Sequence, residues 1–433
     1  MAIDSGITAK MREDWNARAQ EDANFYVAFG RRGQDTGEFF ETGDEIVHGL
    51  EWEMKRMPAN ANRRAWRALE IGCGPGRLLK PMSRHFGEIH GIDVSDEMIQ
   101  RARVNLAGIS HAHEHHTTGA DLAPFADESF DFVYSYAVFQ HIPSEEVVLN
   151  YLREAQRVMK PGAILRAQIN GLPETATHYD TWSGVRISAQ KVADFARAHD
   201  FQLLALEGIS TQYMWTTWCK RRPGWWEGEP DGATRIRRVT NAHSSEPVAP
   251  TRGRFASITI WLENLPPNAD LNHLEVFVNG EKGFPCYIGP READGLQQLN
   301  VMLPPLQTTG LLAIGLQWNG RLLCAPGRIR VIPPGPEVPR ILSVTDGINM
   351  LSGIRIVSGS IKVTIEEVRS PETLFAAKID GQPVRNIDVF CADPLPPRYE
   401  INFDLPQHIS PGSHQISMSL GSRRFAPVEI QVL

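Results

Sequence analysis

Three glycines and a downstream acid stand where a nucleoside-bearing ligand can be held. Leu69-Glu70-Ile71-Gly72-Cys73-Gly74-Pro75-Gly76 runs into Arg77-Leu78-Leu79, and the next apolar stretch, Ile89-His90-Gly91-Ile92-Asp93, closes on a carboxylate. A strand, a glycine turn, a helix and a second strand ending in an acid form the arrangement that holds an adenosine-containing cofactor. Gly72, Gly74 and Gly76 let the backbone turn sharply and approach a ligand, while the Asp93 carboxylate can accept hydrogen bonds from ribose hydroxyls. The spacing G-x-G-x-G departs from the G-x-G-x-x-G of dinucleotide sites. A second acidic loop, Gly119-Ala120-Asp121-Leu122-Ala123-Pro124-Phe125, precedes the alternating run Ser129–Ser135 and then Val138-Phe139-Gln140-His141-Ile142-Pro143. Asp121 there suits the amino edge of an adenine.

The elements that must position these residues follow from periodicity and caps. The pattern predicts strands at 66–71, 88–92, 113–118, 130–135 and 162–169, with helices at 76–85, 96–107 and 144–159 between them. Ser95-Asp96-Glu97 reads as a helix start and Lys160-Pro161-Gly162 as a stop. A helix at 188–198 and strands at 201–207 and 211–219 complete seven strands.

These segments resemble the class I S-adenosylmethionine-dependent methyltransferases of the small-molecule branch. The likeness rests on Leu69–Leu79, His90–Arg101, Gly119–Pro143 and Leu152–Leu165, and covers about residues 60–220. It implies a Rossmann-like seven-stranded sheet, S-adenosyl-L-methionine as cofactor with S-adenosyl-L-homocysteine as product, and no required metal. It further implies that Glu70 and the loop Gly72, Cys73, Gly74 and Gly76 surround the methionine part, Asp93 the ribose, and Asp121-Leu122 the adenine. Val94, Met98 and Tyr136 complete the cofactor set.

Methyl transfer from a sulfonium is a displacement that depends chiefly on alignment. His141, at the carboxyl end of the fourth strand, is the candidate general base, with a structural histidine as the alternative. Candidate acceptor contacts are Tyr26, Phe39, Phe40, Tyr136, Gln140, Tyr179, Trp182 and Arg186. Phe39-Phe40 falls in an expected loop before Gly43, and Tyr179–Arg186 in a long connection able to wall the active face. His111, His113, His115 and His116 read as polar strand residues, not as a metal site.

The chain's 433 residues exceed one such domain. Its net charge of −7 supplies no broad cationic surface, which argues against nucleic acid as partner. No apolar run approaches the roughly 18 residues of a membrane helix, and the five cysteines form no C-x-x-C pair. A cytoplasmic protein is expected.

Past residue 222 the pattern becomes strand and turn, and it repeats. Ile236-x-x-Val239-Thr240-Asn241 recurs as Ile341-x-x-Val344-Thr345-Asp346, Val278-Asn279-Gly280 as Ile379-Asp380-Gly381, Leu303-Pro304 as Leu405-Pro406, and Ala325-Pro326 as Ala426-Pro427. The expected organisation is multidomain: an N-terminal helical cap (1–60), a class I methyltransferase domain (61–222), a linker (223–235), a β-sandwich (236–333), a proline-rich joint (334–337) and a second sandwich (338–433). The two all-β sandwiches resemble immunoglobulin or fibronectin-like modules in architecture. The expected function is methylation of an oxygen or nitrogen on a small polar metabolite such as a sugar or biosynthetic intermediate. The alternatives are a protein methyltransferase recruited through the sandwiches, and a non-catalytic cofactor-binding scaffold or glycan-binding protein. The sandwiches could also mediate self-association.

Overall fold

The computed structural model describes residues 5–28, 36–58, 62–174, 179–224, 233–336, 338–347, 354–368, 371, 374–393 and 398–433. Two compact units emerge: residues 1–21 with 40–334, and residues 22–39 with 335–433. Among the described residues no helix is long and apolar enough to cross a membrane.

In the first unit, β1 (Arg67–Ile71), β2 (Glu88–Asp93), β3 (Ala112–His116), β4 (Phe130–Ser135), β5 (Met159–Ile169), β6 (Phe201–Glu207) and β7 (Met214–Lys220) lie in the order β3-β2-β1-β4-β5-β7-β6. Neighbours from β3 to β5 run parallel, and β7 is antiparallel to both β5 and β6. Parallel strands covered on both faces must be apolar on both, and Leu69, Ile71, Phe132 and Val133 are accordingly buried. Strand order reverses between β1 and β4, so their carboxyl ends open the crevice where ligands of such sheets collect.

The crossover helices start on serine caps. Ser95 accepts from Met98 N at 3.1 Å to open α4 (Asp96–Leu106), Ser144 from Val147 N at 3.4 Å to open α5 (Glu145–Val158), and Ser188 from Lys191 N at 3.2 Å to open α6 (Ala189–Ala198). On α5, Val147, Val148, Tyr151, Leu152, Ala155 and Val158 form one buried stripe. The expected helix at 76–85 shrinks to α3 (Leu79–Met82) and a 3₁₀ turn, because the glycine turn takes its first residues. Lys160-Pro161-Gly162 does not separate helix from strand but forms a bulge within β5: Phe130 pairs with Met159 and Phe132 with Ile164.

Ahead of the sheet lie α1 (Ser5–Ala28), kinked at Asp22, and α2 (Thr36–Met54). Phe39 and Phe40 therefore sit in a helix, not in the expected loop. Gly43, the supposed interruption, is helical and packs tightly on the Arg77 carbonyl, where a Cβ would come within 3.1 Å.

The seven strands do not end the sheet. Tyr287 of β13 (Phe284–Arg291) pairs with Ala205 of β6, and β14 (Leu296–Met302), β10 (Ser257–Glu263) and β8 (Arg235–Asn241) follow, making eleven strands. A second sheet packs below them, built from β9 (Val248–Pro250), β11 (Leu274–Val278), β12 (Glu281–Lys282), β15 (Gly310–Trp318), β16 (Arg321–Leu322) and β17 (Gly327–Ile332). One continuous core runs from Ala68, Phe132 and Ile164 to Ile260, Val276 and Leu316. The expected linker residues 225–232 lie outside the described residues.

The second unit repeats this strand sequence at an offset of about a hundred residues: β18 (Arg340–Asp346) and β19 (Ser360–Glu366) pair as β8 and β10 do, and β20 (Arg398–Asp404) joins β19 as β14 joins β10. Residues of both its sheets, among them Val363 and Ile401 with Ile379 and Ile416, share one core.

Candidate functional site

The turn after β1 is held by the strand beside it. The amides of Gly72 and Cys73 both donate to the Ile92 carbonyl, at 2.9 and 2.8 Å. Gly72, Gly74 and Gly76 have φ of 74°, 51° and 87°, backbone that side chains resist. At Gly72 a Cβ would also meet Val138 Cγ2 at 2.3 Å, so two constraints select glycine there. Asp93 ends β2 against this turn: Oδ2 accepts from Gly74 N at 2.9 Å and Oδ1 from Ser95 N at 2.8 Å. Burial raises its pKa, opposed by those amides. Each oxygen retains acceptor capacity, which is the chemistry a ribose diol requires.

Around Asp93 the adenosine-side residues gather. Val94 packs on Gly119, whose Cβ would meet Val94 Cγ2 at 2.5 Å, and Met98 is buried on α4. Asp121 takes Ala123 N at 3.1 Å and Thr118 Oγ1 at 3.2 Å, while the amide of buried Leu122 donates to Glu154 at 3.2 Å. Cys73 is buried and its thiol pKa is pushed well up by burial. Glu70 is 3% exposed and accepts from Tyr134 OH at 3.0 Å. Burial pushes its carboxyl up to about 8, with Tyr134 and Arg77 pulling the other way.

The first stretch of α1 crosses these carboxyl ends. Asn16 Oδ1 accepts from Ser95 Oγ at 2.7 Å, Arg12 pairs with Asp96, and Met11 joins the core of Leu69, Ile71 and Leu122. Asp14 accepts from Thr181 Oγ1 at 2.5 Å, and Arg18 donates to the Thr181 carbonyl at 2.9 Å. The helix is thereby bolted to the 179–186 connection.

At the end of β4, Tyr136 stacks on Trp215 at 5.4 Å and 9°, with the Arg77 guanidinium 5.4 Å from the Tyr136 ring. His141 is 4% exposed. Its Nδ1 lies 2.8 Å from the Trp182 carbonyl, which can only accept, so Nδ1 carries the proton and Nε2 the lone pair. That lone pair faces Gln140 Nε2 at 3.2 Å, and Gln140 Oε1 in turn accepts from Gln168 at 3.1 Å. Burial pushes the imidazole down to about 4. Trp15 lies edge-on to the ring at 5.4 Å.

Residues 69–167 match the family model described as a methyltransferase domain. A ubiquinone biosynthesis O-methyltransferase of Ruegeria pomeroyi is 32% identical over 110 residues, 25% of this chain and 43% of that protein. A demethylmenaquinone methyltransferase of Staphylococcus aureus is 30% identical over 117 residues, 26% of this chain and 47% of that one. Residues 69–167 are a class I methyltransferase domain. The chain spans under half the length of these curated relatives, and the family match ends at residue 167. A solved SAM-dependent methyltransferase from Aquifex aeolicus aligns with 47% of this chain and 97% of its own at 18% identity, with a TM-score of 0.33.

The methyltransferase domain brings Glu70, Gly72, Cys73, Gly74, Gly76, Asp93, Val94, Met98, Asp121, Leu122, Tyr136, Gln140 and His141 to one edge of its sheet. Trp182 is 44% exposed, its ring 5.8 Å from His141 and 5.3 Å from Arg18. Tyr179 has a buried hydroxyl without a partner among the described residues. Arg186 donates to the Pro173 carbonyl at 2.7 Å. Phe40 lies under Lys80 Nζ at 4.3 Å, whereas Tyr26, edge-on to Phe25 at 5.1 Å, and buried Phe39 belong to the other compact unit. Asp14, Asn16, Arg18, Arg77 and Trp215 are additional site-edge residues that pattern reading passes over. Arg77 follows the glycine turn directly, which is a signal; nothing local marks Asp14 or Trp215.

Proposed function

We propose that this chain is an S-adenosylmethionine-dependent methyltransferase acting on a hydroxyl of a small polar acceptor. The observation that carries the reading is the positive-φ glycine turn facing Asp93 within a matched methyltransferase domain. The donor set fits the cofactor: Asp93 offers ribose-directed acceptors, Asp121 an acceptor for an adenine amine, and Glu70 with the glycine turn the methionine end. Bound there, the cofactor supplies an electrophilic methyl on sulfur. The protein's own contribution is alignment and exclusion of water, with α1 and the 179–186 connection covering the edge. Tyr136, Tyr179 and Trp182 are the proposed acceptor contacts, and Gln140 supports them through His141. In this reading His141 positions the Trp182 backbone instead of taking a proton, because both its ring nitrogens are engaged.

An oxygen nucleophile is preferred because the Ruegeria relative is named an O-methyltransferase. We propose immunoglobulin-like identity for the two β-rich repeats and a cytoplasmic site of action. The test is transfer of labelled methyl from S-adenosylmethionine to panels of hydroxylated and aminated metabolites. Calorimetry showing that neither S-adenosylmethionine nor S-adenosylhomocysteine binds would refute the cofactor, and labelling confined to amines would refute the oxygen assignment.

A further inference from the structure

We infer that the first compact unit carries a second small-molecule site, a basic cavity for a phosphorylated metabolite, at the edge of the methyltransferase sheet opposite the cofactor turn. The cavity encloses about 540 Å³ and is lined by Arg56, Lys220, Arg221, Arg222 and Arg291, with no Asp or Glu among the described lining residues. It lies beside Gly162 near the start of β5 and Lys220 at the end of β7, where β6 passes to β13, whereas Gly72 and Asp93 lie at carboxyl strand ends. The two sites are therefore on opposite edges of one sheet.

Its charges are built, not incidental. Arg56 has a side chain only 6% exposed, held by Glu53 at 2.6 Å and lying over the Tyr287 ring at 5.4 Å. Trp52 and Tyr287 complete the mount: Trp52 Nε1 donates to Tyr287 OH at 2.7 Å, and Tyr287 OH donates to Glu53 at 3.2 Å. Arg56 Nη2 nevertheless stays buried without an acceptor among the described residues. A guanidinium donor kept dry and unpaired costs stability unless something occupies it. Arg222 approaches from the rim, where its guanidinium rests on Gly162; a Cβ there would come within 2.5 Å of Nε. The β5 bulge, with Gly162 at φ 87°, makes that seat.

Arg56 and Arg222 converge on Cys219: burial raises this thiol to about 11, and both cations act against that rise. Arg221 is balanced by Asp270 and Lys220 lies 3.5 Å from Glu128, but Arg222 and Arg291 have no carboxylate partner among the described residues. The excess of about two positive charges matches a phosphate dianion better than a single carboxylate. Ile164, Leu204, Leu265 and Ile288 supply an apolar wall for the esterified group.

The test is calorimetric titration of the full chain with inorganic phosphate, pyrophosphate and glucose 6-phosphate at constant ionic strength, with glucose as control. Saturable binding of the phosphorylated probes and none of glucose is expected. Glucose 6-phosphate binding more tightly than phosphate would identify an ester site; equal binding would identify a free-phosphate site. Arg222→Ala, on the exposed rim, and Arg56→Gln should each weaken binding by about tenfold or more, with S-adenosylhomocysteine affinity unchanged. Binding that survives both substitutions, or is absent up to about 10 mM, overturns the proposal.

Discussion

Replacing Arg221 by alanine tests how tightly the methyltransferase sheet is joined to the first β-rich repeat. Arg221 sits just past β7 and Asp270 just before β11, with side chains 5% and 0% exposed and Nη2 to Oδ2 at 3.0 Å. Losing one partner of a buried pair costs about 3–5 kcal/mol, since the survivor keeps a charge it cannot solvate. Here Asp270 retains His273 on its other oxygen, with Nδ1 at 2.6 Å and the backbone amide at 3.0 Å. That residual bonding reduces the expected loss to roughly 2–4 kcal/mol. Urea unfolding followed by tryptophan fluorescence should show the drop. Asp270→Asn alone should also destabilise, and the double variant should be milder than the sum by roughly 1–3 kcal/mol. Being dry, the pair should keep its effect in about 1 M salt. An Arg221→Ala loss below about 0.5 kcal/mol, additive with Asp270→Asn, would refute the argument that this junction is held by a desolvated charge pair.

Three further outcomes are expected. Asp93→Ala should weaken S-adenosylhomocysteine binding by about 1–3 kcal/mol, with Asp93→Asn intermediate; equal calorimetric affinities in all three proteins would remove Asp93 from the cofactor site. A fragment ending at residue 222 should aggregate or unfold at lower urea than the full chain, because it exposes the β6 edge and strips Tyr287 from Trp52 and Glu53; a monomeric fragment of full stability in ultracentrifugation and urea titration would contradict the shared core. His141, with a folded pKa of about 4 against 6.5 unfolded, leaves the unfolded chain binding more protons between those values, so its contribution is present above pH 6.5 and is lost as pH falls towards 4, up to roughly 3 kcal/mol. His141→Gln should flatten that part of the stability profile, and an unchanged slope between pH 7 and 5 would count against the buried neutral imidazole.

Much of the methyltransferase domain was legible because its signals are local. A glycine that must take positive φ, a serine that must cap a helix and an apolar run that must be buried on both faces each declare themselves within a few residues. Gly72 to Asp93 and Ser95 were readable for that reason, and so was the repeat linking Val239 to Val344. What the sequence by itself could not decide depended on partners distant along the chain. Phe39-Phe40 before Gly43 looked like a loop, yet Gly43 lies within a helix, and its missing side chain lets that helix pack closely on the Arg77 carbonyl. His141 has the composition of a base, and its hydrogen bonds are set by Trp182 and Gln140 in a buried position that disfavours its cation. The eleven-stranded sheet arises because β6 presents open backbone groups and β13 supplies their complement, a pairing between Ala205 and Tyr287 that no local pattern encodes. Tertiary structure likewise turned Arg56, by sequence an ordinary cation after a helix, into a largely buried donor at a cavity wall, held by Glu53 and Tyr287.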